Sequence, residues 1–352
     1  MASLNVLDFE KSIAELDDNL AKLRQIVADR GNPQNTPDLA GQIATLEDHR
    51  TAMLSALFQH LTPWDKVLLA RHVKRPYTLD YVQAMFEDWT ELHGDRLGAD
   101  DGAVVAGLAK LDGLPVAVIG HQKGRDLKQR QQRNFGSARP EGFRKAGRIM
   151  ALAAKFGLPV VTLIDTAAAS ADIAADERGI SEAIARSMFE MATLPTPVVS
   201  VVIGEGGSGG ALGIAVADRV LMLEHAVYSV IPPEGCAAIL WRDPERKSEA
   251  ALALNLTAQR ALELGVIDTV IPEPLGGAHR DWAESAARVK AALLAALPPL
   301  RDLPMPVLLD RRYEKFRRIG QYTEPSPPSD GHRNGFRNGS HGPLQDGLDE
   351  AV

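Results

Sequence analysis

The chain has 352 residues, 45% of them hydrophobic and 24% charged, with a formal net charge of −7. That balance suits a soluble globular protein, in one large domain or two small ones, and the acidic excess argues against nucleic acid as its main partner. No charge-free apolar run is long enough to span a bilayer, and one cysteine, Cys236, excludes an intrachain disulfide and a cysteine metal cluster. The start lacks the basic-then-apolar layout of a signal peptide, so a cytoplasmic setting is expected.

Along the chain, Phe9, Ile13, Leu16, Leu20, Leu23 and Val27 are spaced four and three apart. Leu39, Ile43, Leu46, Met53 and Leu57 keep the same heptad, with Arg50 on one seam position. Asn32-Pro33 and Thr36-Pro37 stand between them. This pattern predicts two helices in an antiparallel hairpin, forming an arm over 1–75 that packs on its own body. An oligomerisation arm is the alternative.

From about residue 103 three segments look alike, starting at Leu114-Pro115, Leu158-Pro159 and Thr196-Pro197. Each opens a continuously apolar run, as in strands buried on both faces. Helices are expected at about 141–156, 176–193 and 208–217, so strand-plus-helix units repeat every 40 residues or so. Such units predict a parallel sheet or a stacked α/β superhelix. Helices at 245–264 and 279–297 would close the domain, which spans 76–319. The tail, 320–352, has too few apolar residues to order itself.

The third strand runs into Gly204-Glu-Gly-Gly-Ser-Gly-Gly210 and then a small-residue helix. Bare backbone N–H groups at Gly206, Gly207, Gly209 and Gly210 would suit a phosphate or a developing oxyanion. Gly204, Gly206 and Gly209 also satisfy the dinucleotide fingerprint, with Glu224 about 20 residues on, although that fingerprint belongs on a first strand, not a third. The bland alternative is that the glycines only permit close packing. Gly120-His-Gln-Lys-Gly-Arg125 opens a segment dense in cations, through Lys128, Arg130, Arg133, Arg144, Lys145 and Arg148. Either a solvated face or a patch for an anionic ligand explains it. His121 and Asp165-Thr166 end strands, where α/β sites gather. Cys236 reads as a buried small residue.

The chain resembles the carboxyltransferase alpha subunit of bacterial and plastid acetyl-CoA carboxylase. The matching stretches are Arg75-Pro-Tyr-Thr-Leu-Asp-Tyr81, Gly94-Asp-Arg96, Gly120 to Arg125, Asn134-Phe-Gly136, Pro140-Glu-Gly-Phe-Arg-Lys-Ala146, Glu177-Arg-Gly179, Ser181-Glu-Ala-Ile-Ala185, Gly204 to Ala211, Pro233-Glu-Gly-Cys236, and Ile271-Pro-Glu-Pro-Leu-Gly-Gly-Ala-His-Arg280. Together they cover about 1–319. The resemblance implies a crotonase-like α/β fold, a superhelix of repeated β-β-α units. It implies transfer of a carboxyl group from carboxybiotin, on a biotin carboxyl carrier protein served by a biotin carboxylase, to acetyl-CoA, giving malonyl-CoA. A beta subunit would complete the site, in an α2β2 assembly, and would carry the zinc; no metal is expected on this chain. The glycines then acquire roles: Gly206 and Gly207 would hold the biotin ureido oxygen by their N–H groups. Gly204, Gly209, Gly210, His121, Lys123, Arg125, Arg144, Lys145 and Thr166 would contribute to substrate binding.

The chain departs from the family pattern after Asp165-Thr166, where Pro-Gly-Ala-Tyr-Pro-Gly-x-Gly-Ala is usual. Here Ala167-Ala-Ala-Ser-Ala-Asp-Ile-Ala-Ala175 follows. Ser137-Ala138 replaces Met-Pro, and Pro232 replaces a serine. A loop that is more flexible or differently shaped is expected at 167–174. Three readings stay open: an active subunit, an assembly-competent but impaired or non-catalytic paralogue, and a stand-alone crotonase-type acyl-CoA enzyme.

Overall fold

The structure is a computed structural model that describes residues 6–29 and 37–320; the tail beyond Gly320 lies outside the described residues. Two helices come first, α1 (Lys11–Asp29) and α2 (Pro37–Gln59). Arg24 pairs with Glu47 and Arg50 with Asp17, which sets the two antiparallel, as the heptads indicate. Ile13, Leu20 and Leu54 are almost fully buried. The arm is clasped to the body: Arg280 donates to Glu10 at 2.8 Å and to Asp17 at 2.9 Å. The described residues through Ile319 form one compact unit that includes this hairpin.

The body then runs α3 (Pro63–Ala70), α4 (Thr78–Met85), β1 (Glu87–Glu91), β2 (Val104–Leu111), β3 (Leu114–His121), α5 (Leu127–Gln132), α6 (Pro140–Phe156) and β4 (Val160–Thr166). It continues with α7 (Ile173–Glu177), α8 (Ile180–Ala192), β5 (Val198–Gly207), α9 (Ser208–Leu212), β6 (Arg219–Leu223), β7 (Val227–Ser229) and α10 (Pro233–Trp241). The last elements are α11 (Lys247–Ala253), α12 (Ala258–Glu263), β8 (Thr269–Ile271), α13 (Trp282–Arg301) and α14 (Met305–Arg317). Eight strands form one mixed sheet in the order β1-β2-β3-β4-β5-β6-β8, with β7 paired to β5. β1, β2 and β3 are antiparallel neighbours; β3 through β6 and β8 run parallel. Every residue of β4 and β5 is buried, which is why both read as mainly apolar runs.

Four helix boundaries differ from the sequence pattern. The helix expected at 176–193 is two helices, because Gly179 takes a left-handed φ of 79° between α7 and α8. That expected at 208–217 stops at Leu212. The one at 245–264 is broken between α11 and α12, where Asn255 sits at φ 52°. The helix drawn at 279–297 starts at Trp282 behind the Asp281 cap and continues to Arg301. By contrast α6 matches closely, since Pro140 at its first turn and left-handed Gly157 at its end are local signals.

Candidate active site

In a parallel sheet the strand C-termini share one edge, so His121, Asp165, Thr166 and the β5 end are brought together. The β4–β5 ladder is irregular there: Ile164 faces Val202, but Thr166 faces Gly206. Residues 203–205 therefore bulge opposite Asp165. β5 ends at Gly207, and the chain turns into α9 through Ser208 at φ 50°. Gly206 and Gly207 line a small cleft with Arg71, Ser229, Ile231 and Pro232.

Close packing accounts for four of the five glycines. A Cβ on Gly204 would lie 2.3 Å from Asp165 Oδ1, and one on Gly206 2.7 Å from the Tyr228 ring. At Gly207 it would meet the Ala167 carbonyl oxygen at 1.8 Å, and at Gly210 the Ala169 nitrogen at 2.5 Å. Only Gly209 has ordinary room, with Ile184 at 3.4 Å. The 167–169 backbone thus lies directly on the glycine turn. A dinucleotide site would need that turn open and a longer helix than the five residues of α9.

Charges beside the glycines form a partly buried chain. Glu234 accepts from Arg71 at 2.6 Å, and Arg71 Nε donates to Glu205 at 2.7 Å. Lys123 Nζ donates to Glu205 at 2.8 Å and to Asp165 at 2.7 Å. Burial alone would pull the Lys123 ammonium down, but Asp165 and Glu205 outweigh it and hold it above the usual lysine value. Burial likewise works against the Glu205 carboxylate, and Lys123 and Arg71 bring its pKa below normal. His121 is fully buried and accepts from the Asp165 N–H at 3.4 Å. Its burial, reinforced by the Lys123 charge, pushes its pKa down to about 3, so it stays neutral at physiological pH.

The cations expected to bind substrate all have partners within the chain. Lys123 is committed to two carboxylates. Arg125 is sandwiched between the Tyr77 and Trp282 rings, 4.4 Å from each, and donates to Asp80 and to the Val73 carbonyl. Lys145 is buried and held by Asp100 and the Asp101 carbonyl at 2.6 and 2.8 Å. Arg144 donates to the Arg178 carbonyl and lines a separate groove of about 680 Å³ between α6 and α8. That groove shares no lining residue with the glycine cleft. Thr166 turns its hydroxyl to the Ala168 carbonyl at 2.7 Å, shaping the loop.

The rewritten loop is tied down by its own new residues. Ser170 N–H donates to the Ala138 carbonyl at 2.8 Å, and Asn134 Nδ2 donates to the Ser170 hydroxyl at 3.2 Å. Ser170 donates in turn to Asp172, whose other oxygen caps α7 through the Ala175 N–H at 2.7 Å. The changes at 137–138 and 167–172 thus touch one another. These hydrogen bonds give the expected looseness no support.

Arg71, Glu205 and Tyr228 belong to the site and were missed. Glu205 stood out as the single charge within the glycine run; Arg71, 134 residues from Glu205, had no local signal. Glu10, His72 and His279 bring ligand-type atoms within 4.8 Å of one another. Arg280 Nε and Nη2 already donate to Glu10 at 3.0 and 2.8 Å, so this cluster is the clasp between arm and body.

The parallel strands meeting at such an edge, with helices packed around them, fit a crotonase-like α/β fold. The beta subunit of Pseudomonas aeruginosa geranyl-CoA carboxylase superposes with a TM-score of 0.51 at 15% identity, over 70% of this chain and 46% of that one. This chain spans under half the length of that subunit. Residues 6–320 match the family model for acetyl co-enzyme A carboxylase carboxyltransferase-like proteins. The "acetyl-coenzyme A carboxylase carboxyl transferase subunit alpha" of Methylococcus capsulatus is 51% identical over 323 residues, 92% of this chain and 99% of the relative. Its namesake from Marinomonas sp. is 52% identical over 318 residues, 90% and 99% of the two chains. The chain belongs to this carboxyltransferase alpha-subunit family, whose name implies a beta partner. Among the described residues no helix is long and apolar enough to cross a membrane.

Proposed function

We propose that the chain is the alpha half of an acetyl-CoA carboxylase carboxyltransferase. With a beta subunit it moves the carboxyl group from carboxybiotin on a carrier protein to acetyl-CoA, giving malonyl-CoA. The observation that carries this reading is the glycine turn at the end of β5, retained beside a cleft in a chain 51% identical to named alpha subunits. Gly206 and Gly207 present backbone rather than side chain to that cleft. Their N–H groups would stabilise negative charge on the biotin ureido oxygen; one such donor is worth roughly 3–4 kcal/mol in a transition state. The ureido group supplies the base for the acetyl methyl proton, so the chain needs no nucleophile of its own. Lys123, Asp165, Glu205 and Arg71 keep the turn in place, and Arg144 stands apart from it.

The altered 167–172 loop does not argue for an inactive paralogue, because its contacts are satisfied and it still packs on Gly207 and Gly210. The test is malonyl-CoA formation from acetyl-CoA and carboxylated carrier, using the chain purified with its beta partner. Turnover supports the reading. A stable complex without turnover would mean that assembly survives while the chemistry has been lost, and turnover by this chain alone would favour the stand-alone enzyme.

A further inference from the structure

The β5 bulge is held from two directions by buried cations. On one side, the Arg75 guanidinium donates through Nε to the Ile203 carbonyl at 2.6 Å and is itself paired with buried Glu273. On the other, Asp165 Oδ1 accepts from the Glu205 N–H at 2.9 Å and from Lys123 Nζ at 2.7 Å. Lys123 also reaches the Glu205 side chain at 2.8 Å, while Arg71 holds the other Glu205 oxygen. A bulge leaves ladder groups unpaired, and these contacts satisfy the Ile203 carbonyl and the Glu205 N–H. The next two residues are Gly206 and Gly207.

Buried ion pairs seldom add net stability over a well-packed apolar replacement. The remainder of β4 and β5 is largely apolar, so concentrating charge at this one irregularity calls for a use. We propose that Lys123 is a positioning residue for carboxyl transfer: by clamping Asp165 and Glu205 it fixes the 203–205 bulge and so the aim of the Gly206 and Gly207 N–H groups. This rests on the oxyanion role of those glycines. It replaces the expectation that Lys123 receives an anionic substrate: its side chain is 14% exposed and both its carboxylate partners are within 2.8 Å.

The test compares Lys123→Met with the charge-balanced pair Lys123→Met/Asp165→Asn, each purified with the beta subunit. An asparagine oxygen can still accept from Glu205 N–H without leaving an unpaired charge. For Lys123→Met, misplacement by about 1 Å predicts a loss of about a hundredfold in kcat, with KM for acetyl-CoA within about threefold of wild type. Amide exchange over 204–209 should quicken. The balanced pair strands no charge, so it should fold, yet it should keep the losses of kcat and of protection because the Lys123 contact to Glu205 is still missing. It decides the matter if the single variant does not fold, and wild-type kcat and exchange in it would overturn the proposal. A tenfold or larger rise in KM in both variants, or unchanged exchange over 204–209, would overturn the proposal. Faster exchange with wild-type kcat would leave the clamp standing and remove the oxyanion assignment instead.

Discussion

Two alanine substitutions, two residues apart, should behave oppositely. A Cβ at Gly207 lies 1.8 Å from the Ala167 carbonyl oxygen and 2.8 Å from that of Thr166. Real Cβ contacts keep at least 3.0 Å, so the Ala167 carbonyl must retreat by about 1.2 Å, the difference of 3.0 and 1.8. Both obstacles are backbone, so no rotamer change relieves them. Overpacking of this kind costs about 1–3 kcal/mol of stability. A shift of about 1 Å in groups that bind a transition state costs roughly a hundredfold in rate. At Gly209 the added Cβ meets Ile184 at 3.4 and 3.7 Å, ordinary contact, and alanine favours a helix over glycine by about 1 kcal/mol. Gly207→Ala should therefore lose about two orders of magnitude in kcat and melt earlier. Gly209→Ala should keep kcat within about threefold of wild type and melt no earlier. The assay is malonyl-CoA formation at saturating acetyl-CoA, with a thermal melt of each complex. Near-normal turnover by Gly207→Ala, or equal damage from Gly209→Ala, would refute the packing argument.

Asp172→Ala removes the α7 cap and the Ser170 acceptor together. Stability should fall by about 1 kcal/mol in urea denaturation, with faster amide exchange over 167–177; unchanged exchange would show that other contacts hold the loop. Acid stability turns on Glu273. Burial pushes its carboxyl up, but Arg75 and His225 outweigh that and bring it from 4.5 down to about 2. A depressed folded-state pKa gives stability that is present above the unfolded value and lost as pH falls through the folded one. The protein should lose stability between about pH 4.5 and 2, and Glu273→Gln should lose less across that window. Parallel acid melts of the two would show whether the pair matters.

Some of the architecture could be read locally. The heptads of the arm, the three proline-led strands and the ends of α6 depend on residues within a few positions of each other, so periodicity and caps reveal them. The short helix α9 and the break at Asn255 could not be placed that way, because backbone conformation and tertiary contact end those helices. Family resemblance located the glycine turn and its chemistry. It did not show that Gly207 and Gly210 are also required by the 167–169 backbone pressed against them.

The cation-dense segment marks the division most plainly. Composition showed many positive charges between Lys123 and Arg148 and suggested a patch for an anion. Charge in a sequence has no direction, however, and its partners lie far away: Glu205 is 82 residues from Lys123, and Asp100 is 45 from Lys145. Only the folded sheet brings Asp165 and Glu205 under Lys123 and the aromatic rings around Arg125. The sequence by itself determined the family, the repeated strands and the glycine turn, since these rest on local pattern. The tertiary structure decided which cations are buried partners, because ion pairing depends on distances that the chain sets only when it closes on itself.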